Sequence, residues 1–250
     1  MRQCPLRFRT WGGRRSGAGR KPAGLVAGLP HGPRPIHHNH HPVHVTLRVV
    51  AGLPSLRNAT LFPALRHGVA AASTASFRVV HYSFQSNHVH LLVEADGTRA
   101  LSRGMQGIGI RLAKRINRAL GRRGRVFADR YHSRALRTPR EVRSGLRYVL
   151  LNGRKHGVSG SGLDPCSSGA WFGGWRESLE TPHGSAPVAR PQTWLLCVGW
   201  RRSGTIGIDD APARAARRAL EGPRIPAVAV RHADIDSPAA LGATPPVRAS

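Results

Sequence analysis

The chain has 250 residues, of which 39 are Lys or Arg and 12 are Asp or Glu, giving a formal charge of +27; 36 of the 39 cations are Arg. Such an excess points to a polyanionic partner, nucleic acid first, while the absence of an apolar run of about 18 residues or more excludes a spanning helix. Cys4, Cys166 and Cys197 are widely spaced and form no CxxC pair, which argues against a disulfide framework and a thiolate zinc site and predicts a reducing, cytoplasmic compartment; with the charge directed at nucleic acid, the expected location is at the nucleoid.

Charge and composition divide the chain into three parts. Residues 1–42 are rich in Gly, Pro, Arg and His without apolar period, so a flexible basic arm is expected. Residues 1–93 carry 12 basic residues and no acidic one before Glu94, and residues 94–158 carry 17 basic and 4 acidic. The polyanion surface therefore belongs to the first two thirds. Residues 159–250 form the third part, a Trp-bearing extension and a Pro/Ala-rich tail that holds no secure long element.

Within 43–158 the periodicities are readable. Val43, Val45, Leu47 and Val49 alternate with His44, Thr46 and Arg48, the pattern of a half-buried strand. Residues 55–74 suit a helix, against which Pro63 counts. Phe77 to Gln85 and His88 to Glu94 read as a hairpin around Ser86-Asn87. Residues 98–120 predict a second helix with Leu101, Met105, Ile108, Leu112, Ile116 and Leu120 as its apolar stripe. Its basic face of Arg111, Lys114, Arg115 and Arg118, continued by Arg122, Arg123 and Arg125, would track a phosphate backbone, because carboxylates to pair with it are scarce. Phe127 to Arg137 reads as a further strand. Thr138-Pro139-Arg140-Glu141 is an N-cap, first-turn Pro and capping Glu that open a third helix running to about Asn152. This order predicts an α+β domain, an antiparallel sheet with helices packed on one face.

Two features carry chemistry. In Asn87-His88-Val89-His90 the imidazoles lie two apart on a strand and share a face, with their bases about 7 Å apart, close enough to converge on a cation. Alternating His on a half-exposed strand is the plainer alternative. In Tyr148-Val149-Leu150-Leu151-Asn152, Tyr148 and Asn152 share one helix face while Val142, Leu146, Val149 and Leu150 turn elsewhere. A phenol with an ordinary pKa near 10 becomes a nucleophile only where nearby cations stabilise its charge; otherwise it caps a core with its hydroxyl in water. Tyr131 and Tyr82 compete with it for the role, and His132 and His156 read as further ligands or as basic surface. The cluster His37, His38, His40, His41 suggests a second metal site on composition, although its Pro-rich setting fits the arm better.

Taken together, Val43 to Val50, Ser83 to Glu94 with its His-hydrophobe-His core, Phe127 to His132, and Tyr148 to Asn152 followed by Lys155-His156-Gly157 resemble the single-tyrosine HUH transposases, in particular the REP-associated tyrosine transposases. The resemblance covers about residues 36–158. It implies a ferredoxin-like or RRM-like fold, with His88 and His90 as ligands of a catalytic Mg²⁺ or Mn²⁺, Asn152 as third ligand, and Tyr148 as the nucleophile. The implied reaction cleaves single-stranded or hairpin DNA, of REP-like sequence in that family, through a covalent 5′-phosphotyrosine. Arg154 and Lys155 would contact the DNA from the loop after the tyrosine helix. Relatives occur as monomers and as dimers with exchanged helices, so a homodimer is compatible with it. The sequence departs from the family at Asn87, commonly Asp, and at Gly153, commonly Pro. A decayed or domesticated relative that binds structured DNA or RNA without cutting it is the alternative.

Overall fold

The structure, a computed structural model, describes residues 34–153 and 162–210. Its centre is a four-stranded antiparallel sheet in the order β2-β3-β1-β4, built from β1 (Val43–Arg48), β2 (Phe77–Phe84), β3 (His88–Ala95) and β4 (His132–Ala135). With α1 (Leu61–Ala70) between β1 and β2 and α2 (Thr98–Ala119) between β3 and β4, this is the ferredoxin-like arrangement. The expected α+β class holds.

The helices, however, cover both faces of the sheet rather than one. On the first face Val43, Val45, Leu47, Leu91 and Val93 pack under α1 and α2, with Leu101, Met105, Ile108, Leu112 and Ile116 forming the predicted stripe. At Gly104 a Cβ would fall on the Phe77 ring, so the helix reaches the sheet there only with glycine. On the second face Val80, Leu92 and Leu136 meet α3 (Pro139–Leu150), together with Phe172, Leu195, Leu196, Trp200 and Ile206 from the extension. The polar alternation of His44, Thr46, His90 and Glu94 made this face look solvated; pieces from far along the chain bury it.

Local chemistry sets the boundaries. The first helix starts at Leu61, later than the pattern suggested, because Asn58 Oδ1 accepts from Leu61 N at 2.7 Å and holds residues 55–60 as turns. Pro63 then falls in the first turn, where its missing N–H has no intrahelical acceptor to lose. The expected strand over 127–137 contracts to four residues: Phe127 bridges Val49, but Asp129 Oδ1 accepts from Arg130 N and turns the backbone out of the ladder. The start of α3 follows expectation, with Thr138 Oγ1 accepting from Glu141 N at 3.2 Å while Glu141 accepts from Arg137 N at 2.8 Å.

Among its described residues the extension contains only short helices, Gly169–Trp171, α4 (Trp194–Cys197) and Gly199–Ser203, yet these residues are tied to the sheet. Phe84 N donates to Cys166 O, Ser168 N to Tyr82 O and Ala189 N to Val79 O, closing the outer edge of β2. The buried Glu94 carboxylate accepts from Gln192 N, Thr193 N and Thr193 Oγ1 at 2.7–2.9 Å, and from Arg78 Nε at 3.2 Å. Of the expected arm, residues 34–42 lie against the domain: Arg34 stacks 3.6 Å from the Tyr131 ring and His37 bonds Ala95 O. Residues 1–33, 154–161 and 211–250 lie outside the described residues.

Candidate active site

The antiparallel register places Thr46 opposite His90, Arg48 opposite His88 and His44 opposite Leu92, with His132 beside Thr46 on the other side. Because directly opposed residues point the same way, these imidazoles and the Arg48 guanidinium stem rise from the sheet face that α3 covers. Tyr148 comes down onto them from α3. Its ring centroid is 4.9 Å from that of His90 and 5.6 Å from that of His44, both edge to face. The last helix of the core and the central hairpin strand thus contribute to one cluster.

His88 Nε2 and His90 Nε2 are 2.9 Å apart. Two nitrogens bound cis to an ion at about 2.1 Å would be about 3 Å apart, so this pair fits a cation without rearrangement. Asn87 Oδ1 lies 2.8 Å from His88 Nδ1 and accepts its proton, which leaves the Nε2 lone pair facing His90. The Asn87 amide oxygen therefore serves as the acceptor for that ring N–H. Behind His90, Nδ1 has Thr46 Oγ1 at 3.1 Å and His44 Nε2 at 3.2 Å. His44 is completely buried, and burial first, then the nearby positive charge of His132, Arg134 and His88, pushes it down to about 3, so it is neutral at pH 7. No three His, Cys, Asp or Glu side chains among the described residues are grouped to hold a metal, either here or in the His37–His41 segment, where the His40 and His41 rings lie 4.0 Å apart. Among the described residues, a third donor would be of another type.

Asn152 is such a donor in kind. It follows α3, is 1% exposed, and neither its amide oxygen nor its nitrogen has a hydrogen-bond partner among the described residues. A buried amide without partners costs about 1–3 kcal/mol, an expense that a ligand would relieve. Gly153 has a steric role: a Cβ there would collide with the carboxylate of Asp164, 2.6 Å from its Cγ. Asp164 in turn is paired with Arg57 at 2.7 Å. Glycine at this position lets the extension close on the end of α3.

Tyr148 itself is 3% exposed. The helix-face argument placed it away from the apolar stripe, but the extension builds a second core around α3 that encloses both. The competing tyrosines stand elsewhere. Tyr82 lies on the α1/α2 face, pushed up to about 12 by burial. Tyr131 is also raised by burial, against the opposing effect of Arg34, and its ring is covered by that guanidinium.

The basic residues divide in the same way. Arg111, Lys114, Arg115 and Arg118 line α2, which the sheet separates from the imidazoles. Arg122, Arg123 and Arg125 follow in the turn after α2; Arg125 donates to Phe127 O and Ala128 O, next to the Arg48 end of β1. Arg154, Lys155 and His156 lie outside the described residues. His44, Thr46 and Arg48 went unassigned in the sequence reading, although their alternation already put them on one face; strand register was needed to set them beside His88 and His90. No described helix is long and apolar enough to cross a membrane.

No protein-family model matches the sequence, and no curated protein matches it. Among solved structures, a REP-associated tyrosine transposase bound to a REP hairpin is similar at 18% identity with a TM-score of 0.43, over 52% of this chain and 76% of that one.

Proposed function

We propose that this chain is a metal-dependent DNA strand transferase that cleaves and rejoins single-stranded or hairpin DNA through Tyr148. The observation that carries the reading is the meeting of Tyr148 with a pair of imidazoles whose Nε2 atoms face each other at 2.9 Å. His88 and His90 would hold Mg²⁺ or Mn²⁺, with Asn152 as an amide ligand. When bound, the ion withdraws charge from the non-bridging phosphate oxygens of the scissile ester. The Tyr148 oxygen attacks phosphorus and gives up its proton. The bond to the 3′-oxygen breaks, and that oxygen leaves as a hydroxyl. The 5′-phosphate stays on the tyrosine, so the ester is conserved and the hydroxyl can reverse the step. Because Tyr148 is 3% exposed, DNA must displace part of its cover to reach it.

Charge supports DNA as the substrate. Arg48 is exposed beside His88 on the site face and is placed to meet a phosphate, while the α2 face and the 122–125 turn offer a longer cationic track. The test is incubation of a labelled hairpin oligonucleotide with the full chain and Mn²⁺. A denaturation-resistant adduct that is lost in Tyr148→Phe and on chelation is expected. Hairpin binding without any adduct would instead identify a non-cleaving DNA-binding protein.

A further inference from the structure

Two rows of side chains cross the sheet face under α3. His90 lies between Thr46 of β1 and Ser83 of β2. His88 lies between Arg48 and the residue after β2, Gln85, whose N–H donates to His88 O at 2.8 Å and closes the hairpin. Directly opposed residues share a face, so Gln85 stands on the imidazole side, where it is 0% exposed. Its Nε2 donates to Ser83 Oγ at 2.7 Å, while Oε1 is buried without a hydrogen-bond partner among the described residues. Turning the amide over would leave its whole NH₂ group without an acceptor, and orphaned buried N–H groups are rarer than under-satisfied carbonyls. Asn152, whose amide is equally unpartnered, is tied to the same corner: Gly153 abuts Asp164, and Arg57 joins Asp164 to Phe84 O, next to Gln85.

A buried carbonyl oxygen without a donor, next to paired imidazoles, calls for an electron-pair acceptor. Phosphate oxygens are themselves acceptors and gain nothing from it, whereas a hard cation takes amide oxygens as ligands. We propose that Gln85 Oε1 is a further oxygen ligand of the ion that His88 and His90 would hold, so that the donor set is two imidazoles and the two amide oxygens of Gln85 and Asn152. This rests on the metal reading above and adds to it a residue from the hairpin strand that the tyrosine helix does not carry. All four donors are neutral, and among the described residues no Asp or Glu joins the histidines. Ligand charge sets the affinity of oxygen-rich sites. The free chain should therefore hold its ion loosely, and one added carboxylate should tighten it sharply.

The test uses the full chain without DNA, with Mn²⁺ or Mg²⁺ alone as the probe. Free Mn²⁺ counted by electron paramagnetic resonance gives the affinity, and binding that is lost in His88→Ala defines the site. Even outer partners of a metal are worth about tenfold in affinity, so Gln85→Met, which keeps the length but removes the oxygen, should bind Mn²⁺ at least about tenfold more weakly. Gln85→Glu, with a charged oxygen in the same place, should bind it about tenfold more tightly. In wild type, Mg²⁺ should shift the ¹³C resonance of the Gln85 side-chain carbonyl and leave in place that of Gln192, which is exposed beside Glu94 at the other end of β3. That readout needs no substitution, so it decides the matter even where a variant fails to fold. A wild-type chain that binds Mn²⁺ at His88, with both Gln85 variants within about twofold of it and a carbonyl that Mg²⁺ does not move, would overturn the proposal. The metal reading would then stand, with the amide satisfied by buried water. Binding absent from wild type and from Gln85→Glu alike would defeat the metal reading and the proposal with it.

Discussion

Replacing Glu94 with Gln tests whether the extension is an integral cover of the tyrosine helix. The carboxylate is fully buried and accepts four hydrogen bonds, two on each oxygen: Thr193 N and Thr193 Oγ1 on Oε1, Gln192 N and Arg78 Nε on Oε2. An amide of the same shape must turn its NH₂ toward one of these donor pairs, so two bonds are lost and donors face donors. Removing one member of a buried ion pair costs about 3–5 kcal/mol, and with about 2–4 °C per kcal/mol for a chain of this size the melting temperature should fall by about 6–20 °C. Asp96→Asn is the internal control. It also touches Arg78, at 3.0 Å, but its side chain is 55% exposed, so the loss should stay under about 1 kcal/mol. Thermal melts followed by circular dichroism measure both. A Glu94→Gln chain that melts within 2 °C of wild type, on the order of the control, would refute the claim that this carboxylate fastens residues 192–193 over the sheet.

Three further outcomes follow from the same packing. Gly153→Ala should force Asp164 off Arg57 and destabilise the chain by about 1–3 kcal/mol in urea unfolding, whereas an unchanged midpoint would mean that the end of α3 tolerates a side chain. His81 is completely buried beside Ser168 and burial pushes it down to about 3, so it stays neutral when folded but charges when unfolded; its contribution to stability should be complete above about pH 6.5 and decline toward pH 3, by about 2 kcal/mol at pH 5, and in pH-dependent melts His81→Leu should remove that share of the decline and leave the similar share of His44. Arg111→Ala with Arg118→Ala should lower the slope of log K against log salt for hairpin DNA by about 1–2 in fluorescence anisotropy, and an unaltered slope would remove the α2 face from the DNA path.

What the sequence disclosed was local. The α2 stripe, the β1 alternation and the Thr138 cap each depend on neighbours within a few positions, and each is present in the fold. The β4 boundary was missed because one side chain, Asp129, competes with the ladder for a backbone N–H. The second covered face was missed for a longer-range reason: Leu92, Val80 and α3 are buried by Phe172, Leu195 and Trp200, whose segment has no period to read. The same cause put Tyr148 inside a core rather than at its edge. At the site, HxH and the tyrosine could be picked out by type and spacing. The parts played by His44, Thr46 and Asn87 depend on cross-strand register and on which ring nitrogen faces which neighbour, and neither is encoded locally.

The central claim is that Tyr148, and no other tyrosine, becomes joined to DNA. Trapping the reaction with a hairpin oligonucleotide and Mn²⁺, digesting with protease and nuclease, and sequencing the modified peptide by mass spectrometry tests it most directly. The account predicts a nucleotide phosphate on the peptide that holds Tyr148 and none on those holding Tyr82 or Tyr131. A modified Tyr131, or cleaved DNA with no tyrosine modified, would contradict it.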